Sequence, residues 1–324
     1  MTLKFMDFCA GIGGGRLGLE ENGFKCIAYS EIDENTSKTY KIFYGEKEKN
    51  YGDLMNINIE NLPDFDIMIA GFPCQTFSIA GKRKGMDDLR GQVIYGLMNI
   101  LTEKNISYFI FENVKGLVNH DNGKTIDLIL EELNNVGYKV YSKVLDSLNY
   151  GIPQMRERVY FVGIKKDLVE DKKDFQFPNS IELNKLETFL IDNNNIVLNY
   201  ENDITFKKYL NNKYNAGKFY LNEILKQDYL VLDTRQSDLR IYRGKIPTLR
   251  TGRHGILYVK DKKLKKLSGY EALLLQGFPH EIVQKSIGNV VGSKLLSQAG
   301  NAMSVTTVSQ IGKALKNYIV SRKI

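Results

Sequence analysis

The first half of the chain alternates between short apolar runs and longer segments in which apolar residues recur every three or four positions. The short runs indicate buried strands, and the longer spacing indicates helices that pack against them. The predicted strands are residues 3–8, 25–30, 67–71, 108–111, 140–145 and 159–164. The predicted helices are residues 16–21, 34–43, 93–102 and 125–136. Strands separated by helices predict an α/β fold with a mostly parallel sheet.

The pattern changes after about residue 177. Residues 178–276 are rich in Asn, Lys and Tyr, and their short segments show no clear alternation of helix and strand. Residues 306–319 again have helical spacing, with apolar side chains at Val308, Ile311 and Leu315. We therefore predict a discontinuous large domain, residues 1–177 plus 277–324, and a smaller domain over residues 178–276.

Candidate functional residues lie at the ends of the predicted strands. Gly11, Glu31, Asp53, Cys74 and Glu112 each follow a strand directly or occupy its last position. In an open α/β sheet, ligands bind beyond the carboxyl ends of the strands. The sequence therefore predicts one site along this edge of the sheet.

A glycine-rich turn, residues 10–15, follows the first strand and begins a helix, so that a ligand can approach the backbone closely. The dinucleotide-binding version needs glycine at position 16, where this chain has Arg16. The turn therefore favours a nucleoside cofactor over NAD, although a plain strand–helix turn has the same pattern. Glu31 is placed to accept hydrogen bonds from both ribose hydroxyls. Asp53 suits either the amine of adenine or a helix cap.

Cys74, in Gly-Phe-Pro-Cys-Gln, and Glu112, in Phe-Glu-Asn-Val, indicate covalent catalysis. A lone cysteine is more often a small buried apolar residue. Here Pro73 restrains the backbone beside it at a strand exit, which suits a nucleophile. A glutamate at the end of an apolar strand is costly unless it is paired or used. Together they suit thiolate attack on an electron-poor ring carbon, with the carboxylate bonding the ring.

Charge favours a polyanionic partner without establishing one. The 45 Lys and Arg against 38 Asp and Glu give a net charge of +7 and a pI near 9.0, which also fits a basic solvated surface. Residues 78–91 are basic and rich in glycine, as in a mobile lid over a polyanion or an ordinary surface loop. Arg156 and Arg158 flank Glu157, which an ion-pair cluster also explains.

Several classes of protein are disfavoured by composition. Three cysteines without paired spacing argue against a disulfide framework and against a structural zinc site, so no metal is expected. No apolar run approaches membrane-spanning length, and the N-terminus does not have the form of a signal peptide. We therefore expect a cytoplasmic protein without a membrane partner.

Five segments occur in one order along the chain. They are Asp-Phe-Cys-Ala-Gly-Ile-Gly-Gly, Gly-Phe-Pro-Cys-Gln, Glu-Asn-Val, Gln-Met-Arg-Glu-Arg and Gly-Asn-Ala. In this order the chain resembles the bacterial DNA (cytosine-5) methyltransferases of type II restriction-modification systems along nearly its whole length. The resemblance implies a Rossmann-like, S-adenosylmethionine-dependent methyltransferase fold with a second, smaller target-recognition domain.

The activity that this resemblance implies is methyl transfer to carbon 5 of cytosine within a short specific sequence of duplex DNA. The target base would be flipped out of the duplex. S-adenosylhomocysteine would be the second product. The modification would protect host DNA from a cognate restriction endonuclease, and the enzyme would act on DNA as a monomer without an obligate protein partner.

The resemblance also implies roles for single residues. Cys74 would attack carbon 6 of cytosine, and Glu112 would contact ring nitrogen 3 and the amino group. Arg158, supported by Arg156, would hold the base carbonyl, while the base that removes the carbon-5 proton is not identified. The cofactor positions would be Cys9, Gly11, Ile12, Gly14, Glu31, Ile32, Asp53, Leu54, Pro73 and Asn301.

The DNA-reading segment would be roughly residues 178–246, followed by a family motif at Pro247-Thr248-Leu249. Arginine to guanine and glutamine to adenine are the usual major-groove pairings, although each could equally contact phosphate. The DNA-binding positions would be Gln75, Ser78, Lys82, Arg83, Arg90, Arg235, Gln236, Arg240, Thr248, Arg250 and Arg253.

Two departures from the family pattern concern the cofactor. Cys9 stands where the family usually has Phe, and Ile32 stands where it usually has a bulky aromatic residue. Apolar contact would then replace part of the stacking on adenine. We expect weaker cofactor binding and retained activity.

Three alternatives stay open on sequence alone. A tRNA cytosine-5 methyltransferase of the same fold would share the Cys and Glu-Asn-Val motifs, although the long segment before Pro247 favours DNA. A catalytically idle DNA-binding regulator would not need Cys74 and Glu112 intact. A nicotinamide-dependent Rossmann enzyme is disfavoured by Arg16 and leaves both of those residues unexplained.

Overall fold

A computed structural model describes residues 2–73, 92–170, 173–191, 196–200 and 202–321. Cys74 and the predicted DNA contacts Gln75, Ser78, Lys82, Arg83 and Arg90 lie outside the described residues. Two compact units make up the chain. Unit 1 comprises Met1–Asp146, Glu157–Ser180 and Ala302–Ile324, and unit 2 comprises Ser147–Arg156 and Ile181–Asn301. In the described parts, no helix is long and apolar enough to cross a membrane.

The described residues form short strands and mostly short helices. The strands are β1 (Lys4–Phe8), β2 (Lys25–Ser30), β3 (Lys49–Asn50), β4 (Ile67–Gly71), β5 (Tyr108–Val114), β6 (Tyr138–Asp146), β7 (Gln154–Met155), β8 (Glu157–Lys165), β9 (Val231–Asp233), β10 (Arg240–Tyr242), β11 (Ile246–Pro247), β12 (Ile256–Lys260) and β13 (Lys263–Lys266). The helices are α1 (Gly14–Glu20), α2 (Glu34–Tyr44), α3 (Gln92–Glu103), α4 (Gly116–Asn119), α5 (Lys124–Asn135), α6 (Ile204–Leu210), α7 (Leu221–Ile224), α8 (Gly269–Leu274), α9 (His280–Gln284), α10 (Gly292–Asn301) and α11 (Val305–Ser321).

Unit 1 is built on a sheet with the strand order β3-β2-β1-β4-β5-β8-β6 within the described residues. Strands β1 to β5 run parallel to one another, whereas β8 is antiparallel to both β5 and β6. The strand order reverses between β1 and β4, and this switch point is where ligands bind in such sheets. The predicted α/β fold with a mostly parallel sheet is confirmed.

The central strands of unit 1 are buried on both faces, which explains their continuous apolar runs. Phe109 and Phe111 of β5 and Phe161 of β8 are fully buried in the core. Helix α11 packs closely on α1, because a Cβ on Gly18 would lie only 2.7 Å from the Cβ of Val308. The C-terminal helix therefore belongs to unit 1, which is discontinuous in sequence.

Unit 2 contains an antiparallel sheet with the strand order β10-β9-β12-β13 in its described part, and a short parallel pair of β7 with β11. Strands β12 and β13 form a hairpin whose two turn residues, Asp261 and Lys262, have φ of 54° and 57°. Positive φ at both positions is typical of a type I′ turn. Leu232, Val259 and Leu264 are fully buried in the core of this unit.

Unit 2 differs in its boundaries from the smaller domain predicted over residues 178–276. Residues 147–156 belong to it because β7 pairs with β11. Residues 277–301 belong to it because α10 packs on α8, where a Cβ on Gly269 would lie 2.6 Å from the Cβ of Leu295. Both contacts join segments that are distant in sequence. Neither contact produces a periodic pattern of apolar residues, so neither could be predicted from the sequence.

Candidate functional site

The glycine turn after β1 and the end of β2 lie together in unit 1. Gly11 and Gly13 have φ of 56° and 82°, which glycine adopts at little cost. The Gly11 N–H donates a hydrogen bond of 2.8 Å to Oε2 of Glu31. A Cβ on Gly11 would meet no described atom within 4 Å, so a ligand has access to this side of the turn.

Glu31 is held in place by groups that the sequence analysis did not identify. Its Oε1 accepts the Asp33 N–H at 2.8 Å, and burial raises the pKa of its carboxyl. The Asn50 side chain accepts hydrogen bonds from the Glu31 N–H at 3.0 Å and the Gly52 N–H at 2.9 Å, and donates to the Glu31 carbonyl at 3.0 Å. Asn50 therefore connects two segments predicted to hold the cofactor.

The remaining cofactor candidates of unit 1 differ in their contacts and in their exposure to solvent. The Asp53 carboxylate caps a short 3₁₀ helix by accepting the Met55 N–H at 3.0 Å, which is the helix-cap reading left open on sequence. Ile12 and Leu54 are buried, at 1% and 8% exposed. Ile32 is 69% exposed and offers an apolar surface.

Three further candidates have clear positions. A Cβ on Gly14 would overlap the Met303 carbonyl oxygen, so this glycine is required for packing. Pro73 is exposed at the end of the described segment that follows β4. Asn301 belongs to unit 2, where its side-chain oxygen accepts a hydrogen bond from the Thr251 hydroxyl.

Two of the three cysteines are unsuited to act as nucleophiles. Cys9 has a left-handed backbone, with φ of 49°, and burial raises its pKa to about 12. Burial also raises the pKa of Cys26, in β2, to about 12. Because the thiolate is the nucleophilic form, neither is reactive near neutral pH.

Strand β5 places Glu112 opposite Gly71 at the carboxyl end of β4. Arg158, on the neighbouring strand β8, lies with its Nε 3.1 Å from Oε1 of Glu112, and the two side chains are 12% and 10% exposed. The Arg158 N–H is not directed at the oxygen, and Oε1 has no hydrogen-bond donor among the described residues. A buried acceptor without a donor is costly, so a ligand with a donor group suits this position.

Asn113 connects β5 to the segment that leads to Cys74. Its Nδ2 donates to the Phe72 carbonyl at 3.0 Å, and its Oδ1 accepts the Val114 N–H at 2.8 Å. The side chain is buried, so these hydrogen bonds are shielded from water. Asn113 belongs to the Glu-Asn-Val motif, but its hydrogen-bond partners could not be predicted from the sequence, so no role was assigned to it.

Arg156 belongs to unit 2, although it is only two residues from Arg158. It is 2% exposed, and its Nη1 donates to the Gly300 carbonyl at 3.2 Å and to the Leu249 carbonyl at 3.5 Å. Gln154, also buried, donates to the Leu275 carbonyl at 2.7 Å and accepts the Leu249 N–H at 3.1 Å. Both side chains therefore bind the backbone of unit 2.

The predicted DNA contacts of unit 2 fall into two groups. Arg250 and Arg253 are exposed, Arg240 is exposed and pairs with Asp238 at 3.0 Å, and Gln236 is half-buried. Arg235 and Thr248 instead make contacts within the unit.

Arg235, one of the predicted DNA contacts, is held within unit 2. Its Nε and Nη2 bind both carboxylate oxygens of Asp233, at 2.7 and 2.8 Å, and its Nη1 donates to the Thr248 carbonyl at 2.8 Å. The Arg235 side chain is 6% exposed. Three of its five N–H groups are therefore engaged within unit 2, two of them in the pair with Asp233. The Thr248 hydroxyl donates to the Met155 carbonyl.

A cavity of about 560 Å³ lies within unit 2. Its lining is mostly apolar, with Arg250 and Arg253 among the few charged residues. Among the described residues, none of the candidate catalytic or cofactor side chains lines this cavity. In the described residues, no group of three or more His, Cys, Asp or Glu side chains could hold a metal ion.

Comparison with known proteins identifies the family. The family model described as C-5 cytosine-specific DNA methylase matches residues 3–317. The type II methyltransferase M.HaeII of Haemophilus aegyptius is 35% identical over 335 residues, covering 99% of this chain and 96% of the relative. M.NgoBI of Neisseria gonorrhoeae is 35% identical over 321 residues, covering 96% of this chain and 92% of the relative.

Solved structures agree on the fold. The Dnmt2 methyltransferase of S. pombe superposes with a TM-score of 0.68 at 19% identity, covering 97% of this chain and 99% of that chain. The methyltransferase fold is thus confirmed, and so is the resemblance carried by the five ordered motifs. The chain therefore belongs to the family of C-5 cytosine-specific DNA methylases.

Proposed function

We propose that this protein methylates carbon 5 of a cytosine that is flipped out of a short specific sequence in duplex DNA, through a covalent adduct with Cys74. The observation that supports it most is the pairing of Glu112 with Arg158 at the carboxyl end of β5. A buried carboxylate oxygen there lacks a donor among the described residues, and the cytosine amino group is such a donor. Asn113, next along the strand, binds the backbone just before the Pro73-Cys74 pair.

The proposed reaction begins when the Cys74 thiolate adds to carbon 6 of cytosine, which makes carbon 5 nucleophilic. Glu112 accepts a hydrogen bond from the amino group and acts as a general acid toward ring nitrogen 3, and the proton returns to it when Cys74 leaves; Arg158 binds the base carbonyl. S-adenosylmethionine supplies the electrophilic methyl group when it is bound. A base then removes the carbon-5 proton, the carbon–sulfur bond breaks by β-elimination, and Cys74 leaves as the thiolate.

The residues present fit S-adenosylmethionine. The open side of Gly11 allows close approach, the Glu31 carboxylate suits the ribose hydroxyls, and exposed Ile32 suits an apolar face of adenine. We propose the remaining cofactor positions of the sequence analysis as well. They are Cys9, Ile12, Gly14, Asp53, Leu54, Pro73 and Asn301.

Arg250 and Arg253 are proposed to bind DNA together with Arg240, Gln236 and Thr248, and Arg235 is left out. Arginines that neutralise phosphates release counterions, so binding should weaken steeply with salt. In the cell, the methylation would protect host DNA from a cognate restriction endonuclease.

The decisive experiment is transfer of labelled methyl groups from S-adenosylmethionine to unmethylated genomic DNA and, in parallel, to total tRNA. Bisulfite sequencing of the DNA would then locate the product. We expect 5-methylcytosine at one short motif in DNA and no label in tRNA. Label in tRNA alone would overturn the substrate while keeping the chemistry, and label in neither would favour an idle DNA-binding regulator.

Binding of S-adenosylmethionine is expected to weaken as the pH falls, starting above the ordinary glutamate pKa of 4.5. Burial raises the pKa of Glu31, and the ionised carboxylate is the form that accepts hydrogen bonds from both ribose hydroxyls. Protonation therefore removes affinity at a higher pH than it would for an exposed glutamate. Calorimetric titration at a series of pH values measures this.

Glu31→Gln is the matched control for the pH profile, because it keeps the shape of the side chain and cannot titrate. We expect it to bind S-adenosylmethionine more weakly at neutral pH and to lose the slope of affinity against pH. The same slope in wild type and variant would show that another group is responsible.

A further inference from the structure

We propose that Tyr44 is a positioning residue for the cofactor, because its hydroxyl holds the glycine turn in the conformation that receives S-adenosylmethionine. The inference rests on the proposed cofactor site at that turn. Tyr44 is the last residue of α2, and nothing in the sequence pattern distinguishes it from the other tyrosines of the chain.

The Tyr44 hydroxyl is bound to the turn directly. It donates to the Gly13 carbonyl at 2.8 Å and lies 3.3 Å from the Ile12 carbonyl. The Gly13 carbonyl also accepts the Leu17 N–H, at 3.1 Å, as the first hydrogen bond of α1. One hydroxyl therefore restrains two successive peptide groups where the turn joins the helix.

The turn needs such a restraint because of its composition. Gly11 and Gly13 both have left-handed backbones, and Gly13 begins α1 without a side-chain cap. Glycine has more backbone freedom to lose than any other residue, so a turn with two of them is costly to order. A hydrogen bond that orders the turn in advance removes part of this cost from cofactor binding.

Tyr44 is itself rigidly supported. The Arg16 guanidinium lies 4.4 Å from the centre of its ring, and the Tyr40 ring lies 4.7 Å away. Arg16 is held in turn by ion pairs with Glu20 at 3.0 Å and Glu48 at 3.2 Å. Burial raises the pKa of Tyr44 well above its ordinary value, so the hydroxyl keeps the proton that it donates.

The chain offers a matched control in Tyr138, on β6 of the same unit. Its hydroxyl also bonds two backbone carbonyls, those of Ile106 at 2.5 Å and Leu101 at 3.3 Å. Neither carbonyl belongs to the proposed cofactor site. Tyr44→Phe and Tyr138→Phe therefore remove the same kind of contact at different places, and both keep the aromatic ring.

The experiment compares the full-length wild type with both variants by calorimetric titration with S-adenosylmethionine, steady-state kinetics on unmethylated DNA, and thermal denaturation. Losing about one net hydrogen bond predicts a Kd and KM for S-adenosylmethionine about fivefold higher in Tyr44→Phe, with kcat at saturation within about twofold of wild type. Tyr138→Phe should lose a similar amount of thermal stability and keep the wild-type Kd.

Two results would overturn the positioning role. One is an unchanged Kd in Tyr44→Phe, and the other is an equal rise of Kd in both variants, which would indicate general destabilisation. Failure of the wild type to bind S-adenosylmethionine would instead overturn the proposed function, and this inference with it.

Discussion

Replacement of Cys74 by alanine is expected to lower methyl transfer roughly 10⁴-fold or more, as the loss of a covalent nucleophile does. Duplex DNA binding should stay largely intact, because alanine removes only the small thiol group. Burial raises the pKa of Cys9 and of Cys26 to about 12, so neither thiol can replace the missing one near neutral pH. Labelled methyl transfer and DNA-binding titration measure the two properties separately.

Cys26→Ala is the matched control, because it makes the same chemical change in a buried strand and should keep transfer. A second readout uses duplex DNA with 5-fluorocytosine at the methylated position found by bisulfite sequencing. Fluorine cannot leave carbon 5 as a proton does, so β-elimination stops and the covalent complex accumulates. Wild type and Cys26→Ala should form this complex, and Cys74→Ala should not. Methylation by Cys74→Ala would refute its assignment as the nucleophile.

Much of unit 1 could be predicted from sequence because its central strands are buried on both faces. The observed bounds of β2, Lys25–Ser30, and of β4, Ile67–Gly71, are those predicted. The pairing of β8 between β5 and β6 was not predicted. An antiparallel strand buried on both faces has the same apolar pattern as a parallel one.

The site was only partly predictable, for a different reason. Motifs identified Glu112 and Glu31 because a carboxylate at the end of an apolar strand is conspicuous in the sequence. Asn50, Asn113 and Tyr44 act through hydrogen bonds to backbone groups distant in sequence, and such contacts leave no periodic signal.

Arg235 differs from the other predicted DNA contacts in its surroundings. In the sequence it was one of several arginines in a segment expected to read DNA, and nothing there distinguished it from Arg250. The structure distinguishes them through Asp233, which occupies the Arg235 guanidinium in a buried bidentate pair. Asp233 lies two residues before Arg235 in the sequence, but the sequence does not show that the two side chains form an ion pair.

Glu112→Gln is expected to slow methyl transfer in a single turnover by about 10²- to 10³-fold, because glutamine cannot supply the proton that offsets the negative charge developing at ring nitrogen 3. Glutamine keeps the shape of the side chain and loses its charge. The change removes the partner of Arg158, and both side chains are largely buried, with 12% and 10% exposed. Without the carboxylate beside it, Arg158 should also be oriented less well toward the base carbonyl.

Glu157→Gln is the control, because the same substitution on the adjacent strand breaks an ion pair of 2.6 Å with Lys115. That pair is about half exposed, at 48% and 47%, and such pairs contribute little to stability. Its single-turnover rate at saturating DNA and S-adenosylmethionine should match wild type, while Glu112→Gln is slow under the same conditions. Saturation separates the chemical step from binding, and thermal denaturation of both variants reports any loss of folding. A near-normal rate in folded Glu112→Gln would contradict the proposed role of the carboxylate at the base.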